Sequence, residues 1–206
     1  MKFGFKEKKR ILLALIAVLG MGISVSFLLF VNMGSDPYTC MNTGISSTLG
    51  LTFGTWQAIF NVVLLGVVYV SDKSQIGWGT VFNMFLVGYT ADFVTWITGF
   101  FLNPDIFSVA YIRIAVMIAA LIMFVISAAL YMAADMGVSP YDAVGFILAN
   151  KINKIPFRVS RICMDAAVSA VGYLFGSTIG FVTVLIVLTL GPAIQFMKQK
   201  IDVLFS

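Results

Sequence analysis

The amino-acid sequence predicts an all-α protein, a polytopic transmembrane helix bundle built from two copies of one unit. Hydrophobic residues make up 60% of the 206 and charged residues only 11%, whereas soluble domains carry about a quarter charged residues. Several apolar runs reach the roughly 20 residues an α-helix needs to cross a hydrocarbon core. The segment Asn32-Met33-Gly34-Ser35-Asp36-Pro37-Tyr38 returns as Asp135-Met136-Gly137-Val138-Ser139-Pro140-Tyr141, 103 positions later (135 − 32 = 103).

The chain opens with Lys2, Lys6, Lys8, Lys9 and Arg10, five of its 13 basic residues, directly before an apolar run over Ile11–Met33. A signal peptide has an apolar region of only about 7–15 residues and a small-residue cleavage site. This run is longer and ends in Gly-Ser-Asp-Pro, so it reads as a retained first helix with a cytoplasmic flank. The net charge of +4 therefore marks orientation and not a nucleic-acid surface.

A Gly-x-x-Pro-Tyr turn leads into a short, rather polar helix, about Tyr38–Leu49. Two apolar helices follow, about Thr55–Val70 and Trp78–Phe101. A break at Leu102-Asn103-Pro104-Asp105 separates this unit (repeat 1, about 11–102) from its copy (repeat 2, about 111–201). The copy has a long helix over Tyr111–Ala134, a short one over about Tyr141–Asn150, and two more over Phe157–Phe175 and Ile179–Met197. Phe53, Gln57, Asn61 and Tyr69 match Phe157, Arg161, Asp165 and Tyr173 at an offset of 104 (157 − 53 = 104). Gly77, Thr80, Gly88 and Phe93 match Gly180, Thr183, Gly191 and Phe196 at 103 again (180 − 77 = 103). Residues 1–206 then form a single transmembrane domain.

A twelve-residue helix is about 18 Å long, short of a roughly 30 Å core. Length thus favours three crossings per half, an inverted 3+3 arrangement with a short re-entrant or half helix in each half. Both termini, Lys73, Lys151, Lys154, Arg158, Lys198 and Lys200 then lie inside, with Arg113 near the outer side. Spanning short helices would instead give 4+4 parallel repeats, with only Lys73 and Arg113 changing sides, so charge bias leaves both open.

Chemistry-bearing motifs are few. There is no His, the commonest general base and metal ligand, and the two Cys, Cys40 and Cys163, lack metal-type spacing. No phosphate loop, dinucleotide fingerprint or nucleophile elbow is present. The expectation is a protein that is not an enzyme and needs no metal or cofactor.

The pattern resembles the YitT/YczE family of bacterial membrane proteins, most closely its YczE-like branch. The resemblance rests on Gly34-Ser35-Asp36-Pro37-Tyr38, Gly137-Val138-Ser139-Pro140-Tyr141-Asp142, Asn61, and Gly77 with Thr80, and covers nearly the whole chain. It implies a multi-pass protein of the bacterial inner membrane and gives no catalytic residues.

Candidate binding residues come from polar groups in apolar surroundings. Asp36-Pro37 and Ser139-Pro140 match an N-cap followed by Pro at the first helical position. Two helix N-termini facing one cavity would make a solute site, as paired interrupted segments do in transporters. Asp36, Tyr38, Asn42, Tyr141 and Asp142 belong to this set. Gln57 with Asn61, and Arg161 with Asp165, are spaced by four and share a helix face. Such groups near mid-span should face the bundle interior and be paired. The plain alternative is structural glue: an Arg161–Asp165 ion pair, with Gln57 and Asn61 bonding across the repeat axis. Asp92, alone in Trp78–Phe101, is a candidate for proton or cation coupling, or for pairing with Arg161 or Arg113 in space. Tyr38, Trp56, Trp78, Trp96, Tyr111 and Tyr141 read as interfacial aromatics. Gly172, Gly176 and Gly180 read as a packing ridge that also serves a turn.

The leading functional expectation is a secondary transporter of a small polar or nitrogen-containing metabolite, binding near the midplane at the repeat interface. The lipid bilayer and the solute are its partners, nucleic acid is not, and a homodimer is compatible. Helix dipoles would favour an anionic group and the carboxylates a cation, with the fixed charges outweighing the dipoles. Two other readings stand beside it. One is the substrate-capture subunit of an energised vitamin-type importer. The other is a non-transporting scaffold or regulator of a biosynthetic enzyme.

Overall fold

The computed structural model describes residues 5–101, 106–107, 109–151, 156–189 and 196–197, and these are helices joined by turns. The Leu102–Asp105 break, Lys2, Lys154, Lys198 and Lys200 lie outside the described residues. The helices are α1 (Phe5–Val31), α2 (Pro37–Leu49), α3 (Phe53–Ser71), α4 (Trp78–Phe101), α5 (Ala110–Ala134), α6 (Pro140–Lys151) and α7 (Phe157–Leu174). An eighth, α8, covers residues 181–189. A 3-10 turn, Lys73–Gln75, joins α3 to α4. There Asp72 accepts from Ser74 and Gln75, which holds its carboxyl below the usual carboxylate range.

Four of these helices are long and apolar enough to cross a membrane: Glu7–Val31, Phe53–Ser71, Trp78–Phe101 and Ala110–Ala134. Helix α7 has 18 residues but carries Arg158, Arg161 and Asp165 among them. Large apolar side chains are bare on the outer surface, with Val70 86% and Phe101 80% exposed. Apolar patches of this extent belong against lipid, not water. This is a membrane protein.

Helices α1 and α5 form the central pair and run antiparallel, because the start of each meets the end of the other. Arg10 at the start of α1 donates through Nε to Ala134 O (2.8 Å) and through Nη2 to Asp135 O (2.7 Å) at the end of α5. Arg113, at the start of α5, donates to Val31 O and to Asn32 O (2.8 Å) at the end of α1. A helix leaves its last carbonyls without intrahelical donors, with a partial negative charge there. Each guanidinium answers both needs. Val18, Val25, Val87 and Phe124 knit α1, α4 and α5 into one core, while Leu28, Val31, Met117 and Ile186 join α1, α5 and α8 in a second.

Helices α1 and α5 each end in a left-handed turn. Asn32 and Asp135 have φ of 46° and 49°, and Gly34 and Gly137 each have φ of 98°. Asn and Asp are among the few side chains that tolerate this region, and glycine takes it freely. Each turn is then stapled to the first turn of α4 or α8. Gly79 N donates to Met136 O (2.7 Å) and Val182 N to Met33 O (3.3 Å). Gly77 and Gly180 lie so close to Met136 O and Met33 O that a Cβ at either would overlap the carbonyl.

The chain then continues as α2 or α6. Thr39 N donates to the N-cap side chain Asp36 Oδ1 (3.0 Å), and Asp142 N to Ser139 Oγ (3.1 Å). Pro37 and Pro140 take the first helical position, as predicted. At 13 and 12 residues these helices are about 20 Å and 18 Å long. Each packs against both α3 and α7. Thr52 caps α3 through Thr55 N (3.2 Å), so that helix starts earlier than the predicted Thr55. Of the predicted Ile179–Met197 span, Ile179 and Gly180 lie in the turn before α8, and Gly176, with φ of 79°, bends the chain after α7.

Candidate binding site between the two short helices

The N-termini of α2 and α6 meet in the interior. The rings of Tyr38 and Tyr141 stack there with centroids 4.6 Å apart and planes 28° from parallel. Their hydroxyls point to matching places on α3 and α7: Tyr38 donates to Asn61 Oδ1 and Tyr141 to Asp165 Oδ1, each at 2.8 Å. Both tyrosines therefore face the bundle, and not lipid as an interfacial belt requires, because the short helices bring their first turns together. Trp78, Trp96 and Tyr111 remain outward and exposed.

Beside this stack lies a cavity of about 110 Å³ lined from α1 through α7. Seven of the ten predicted residues line it: Asp36, Tyr38, Gln57, Asn61, Tyr141, Asp142 and Arg161. Asp165 sits one layer behind, 6% exposed, and accepts from Arg161 Nε (3.1 Å) as well as from Tyr141. The i,i+4 pair predicted on α7 is thus formed. Arg161 also pairs with Asp142 and lies over the Tyr141 ring, its Cζ 4.6 Å from the centroid. Asp142 does more than complement a helix dipole, since it also accepts from Ser139 Oγ (2.7 Å).

Asn42 and Asp92 do not line the cavity. Asn42 is fully buried and donates from Nδ2 to Tyr38 O (2.8 Å), bracing α2 from within. Asp92 Oδ2 accepts from Gly54 N (2.9 Å) at the start of α3. It pairs with neither Arg161 nor Arg113, whose guanidinium groups are engaged elsewhere. A backbone N–H meets its need instead. The expected bonding of Gln57 and Asn61 across the repeat axis is not what forms. Asn61 bonds Tyr38 and donates to Met84 O (3.2 Å), both within the first half. Gln57 Oε1 rests over Gly88 with no donor.

The cavity also takes Ser139, predicted as an N-cap, and Asn83 and Tyr131, for which the sequence predicts no role. Asn83 carried a usable signal, being the one amide in α4. Tyr131 had none, since one phenol near the end of an apolar span looks like any interfacial tyrosine. A second cavity, about 230 Å³, lies between the end of α1, α2 and the turn after α7. It is larger but has no charged side chain in its lining. Among the described residues no cluster of His, Cys, Asp and Glu suited to a metal ion occurs.

Residues 8–199 match a family described as a family of unknown function, DUF6198. The chain belongs to the DUF6198 family. Among its relatives is an uncharacterized protein of Haemophilus influenzae, 23% identical over 190 residues, covering 92% of this chain and 84% of the relative. Another is the uncharacterized membrane protein YczE of Bacillus subtilis, 24% identical over 173 residues, covering 84% and 77%. This chain is a YczE-like member at low identity, as the sequence motifs implied. No solved structure matches it.

Proposed function

We propose that this protein is a secondary transporter for a small polar or nitrogen-containing metabolite, bound in the cavity between the N-termini of α2 and α6. The observation that carries the reading is the convergence of two interrupted helices, a tyrosine stack and an ionic cluster on one interior cavity. The units 11–102 and 111–201 are read as inverted repeats that rock against each other. The antiparallel α1–α5 pair and the matching arginine contacts at its two ends support this. Asp92, held by one backbone donor, is the candidate coupling group. The basic start of α1 supports an N-terminus, and with it a C-terminus, on the cytoplasmic side of a bacterial inner membrane. The protein acts without chemical conversion of its solute.

The test is uptake and counterflow by purified protein in vesicles across a broad metabolite panel. Solute-dependent flux that Asp165→Asn abolishes is the expected result. No flux for any solute counts against transport, and binding retained without flux would favour a capture subunit.

A further inference from the structure

The capped N–H of each short helix and the cavity's one guanidinium are already engaged. The N-terminal donor of α2 at Thr39 N is taken by Asp36 Oδ1, and that of α6 at Asp142 N by Ser139 Oγ. Arg161 is shared between Asp142 and Asp165, and its face lies on Tyr141. Against this one guanidinium stand three carboxylates, Asp36, Asp142 and Asp165. The first of them is incompletely bonded: Asp36 is 8% exposed and its Oδ2 has no hydrogen-bond partner. Tyr131, 5% exposed on α5 and in the same lining, likewise has a hydroxyl with no partner. A buried carboxylate oxygen without a donor is costly unless a proton or a cation completes it.

Resting on the transport reading, we infer that the solute is a compact primary ammonium ion, with its N–H groups directed to Asp36 Oδ2 and the Tyr131 hydroxyl and its short chain against the Tyr38–Tyr141 stack. Three features define the class. The charge is positive, because the surplus carboxylate is the open one. Hydrogen-bond donors are required, because both orphan oxygens accept and the accessible aromatic face is partly taken by Arg161. The size is small: an apolar cavity of about 150 Å³ holds one benzene, so about 110 Å³ suits a handful of heavy atoms.

The experiment is thermal unfolding of the detergent-solubilised full chain with three probes of similar size: propylammonium, propionate and tetramethylammonium. Propylammonium should raise the unfolding temperature in a saturable way, while propionate and tetramethylammonium should not. Asp36→Asn preserves the N-cap, since Asn caps as well as Asp, and should weaken propylammonium by roughly tenfold or more. Tyr131→Phe keeps the buried ring and should weaken it by a smaller factor. It serves as the test should the Asp36 variant fail to fold. Stabilisation by propionate, equal stabilisation by tetramethylammonium, no response to propylammonium, or indifference of its effect to both substitutions would overturn the inference. Flux of an anionic or neutral solute without amine binding sinks this inference alone. Amine binding without flux sinks the transport reading alone.

Discussion

The two tyrosines of the central stack are held in the same way and by different chemistry. In the first half Tyr38 donates to a neutral amide, Asn61, and the neighbouring Gln57 is unpaired at Oε1. In the second half Tyr141 donates to a carboxylate, Asp165, and Arg161 closes a network that takes in Asp142 as well. One scaffold thus carries an open polar wall on α3 and a satisfied ionic wall on α7. The satisfied wall fixes geometry, because its charges have spent their bonding on one another. The open wall, with Asp36 beside it, keeps capacity for something from outside the protein.

That contrast can be tested, beginning with the largest effect. Arg161→Ala should destabilise by about 3 kcal/mol, the low end for breaking a buried pair, because its side chain is still 26% exposed. Gln57→Ala, at the equivalent position, should cost far less. The double variant Arg161→Gln with Asp165→Asn copies the first half into the second and should recover most of the loss. If denaturant unfolding shows no recovery, the α7 network is not an independent ionic unit. Next, Tyr141→Phe should cost about 2 kcal/mol, as a hydrogen bond to a charged acceptor does, and Tyr38→Phe about 1 kcal/mol, as a neutral one does. Equal losses would mean that stacking, and not the acceptor on α3 or α7, holds the rings. The smallest effect concerns the two arginine contacts. Arg10→Ala and Arg113→Ala should each cost about 1 kcal/mol for carbonyl bonds near the surface. Only the Arg10 loss should shrink with added salt, since Arg10 alone also pairs with an exposed carboxylate, Asp135 Oδ2 (2.6 Å).

Much of the site was legible because polar residues in apolar spans are rare and their spacing is informative. Gln57 with Asn61 and Arg161 with Asp165 stood out at four-residue intervals, and the two Pro-Tyr turns marked the starts of α2 and α6. Trp78–Phe101 was read to its limits, with Gly77 before it and the Asn103-Pro104 break beyond. The partner of Asp92 is not legible, because the group that meets it, Gly54 N, is a backbone donor with no identity in sequence. The inward facing of Tyr38 and Tyr141 is not legible, because a tyrosine near a helix start looks the same in sequence whether it faces lipid or a neighbouring helix. The matching contacts of Arg10 and Arg113 are legible too. They obey the same offset as the Pro-Tyr turns (113 − 10 = 103), and applying that offset to charged residues pairs them.

The two arginine contacts also impose an order on assembly. Arg113 reaches back 82 positions to Val31, whereas Arg10 must wait for Ala134, 124 positions on. At about 5–20 residues per second of synthesis, Arg113 follows its partner by roughly 4–16 s, while Arg10 waits roughly 6–25 s. The first helix is therefore fastened at its far end before its near end. A nascent chain halted after α4 has neither fastening, and its Tyr38 lacks Tyr141 to stack on.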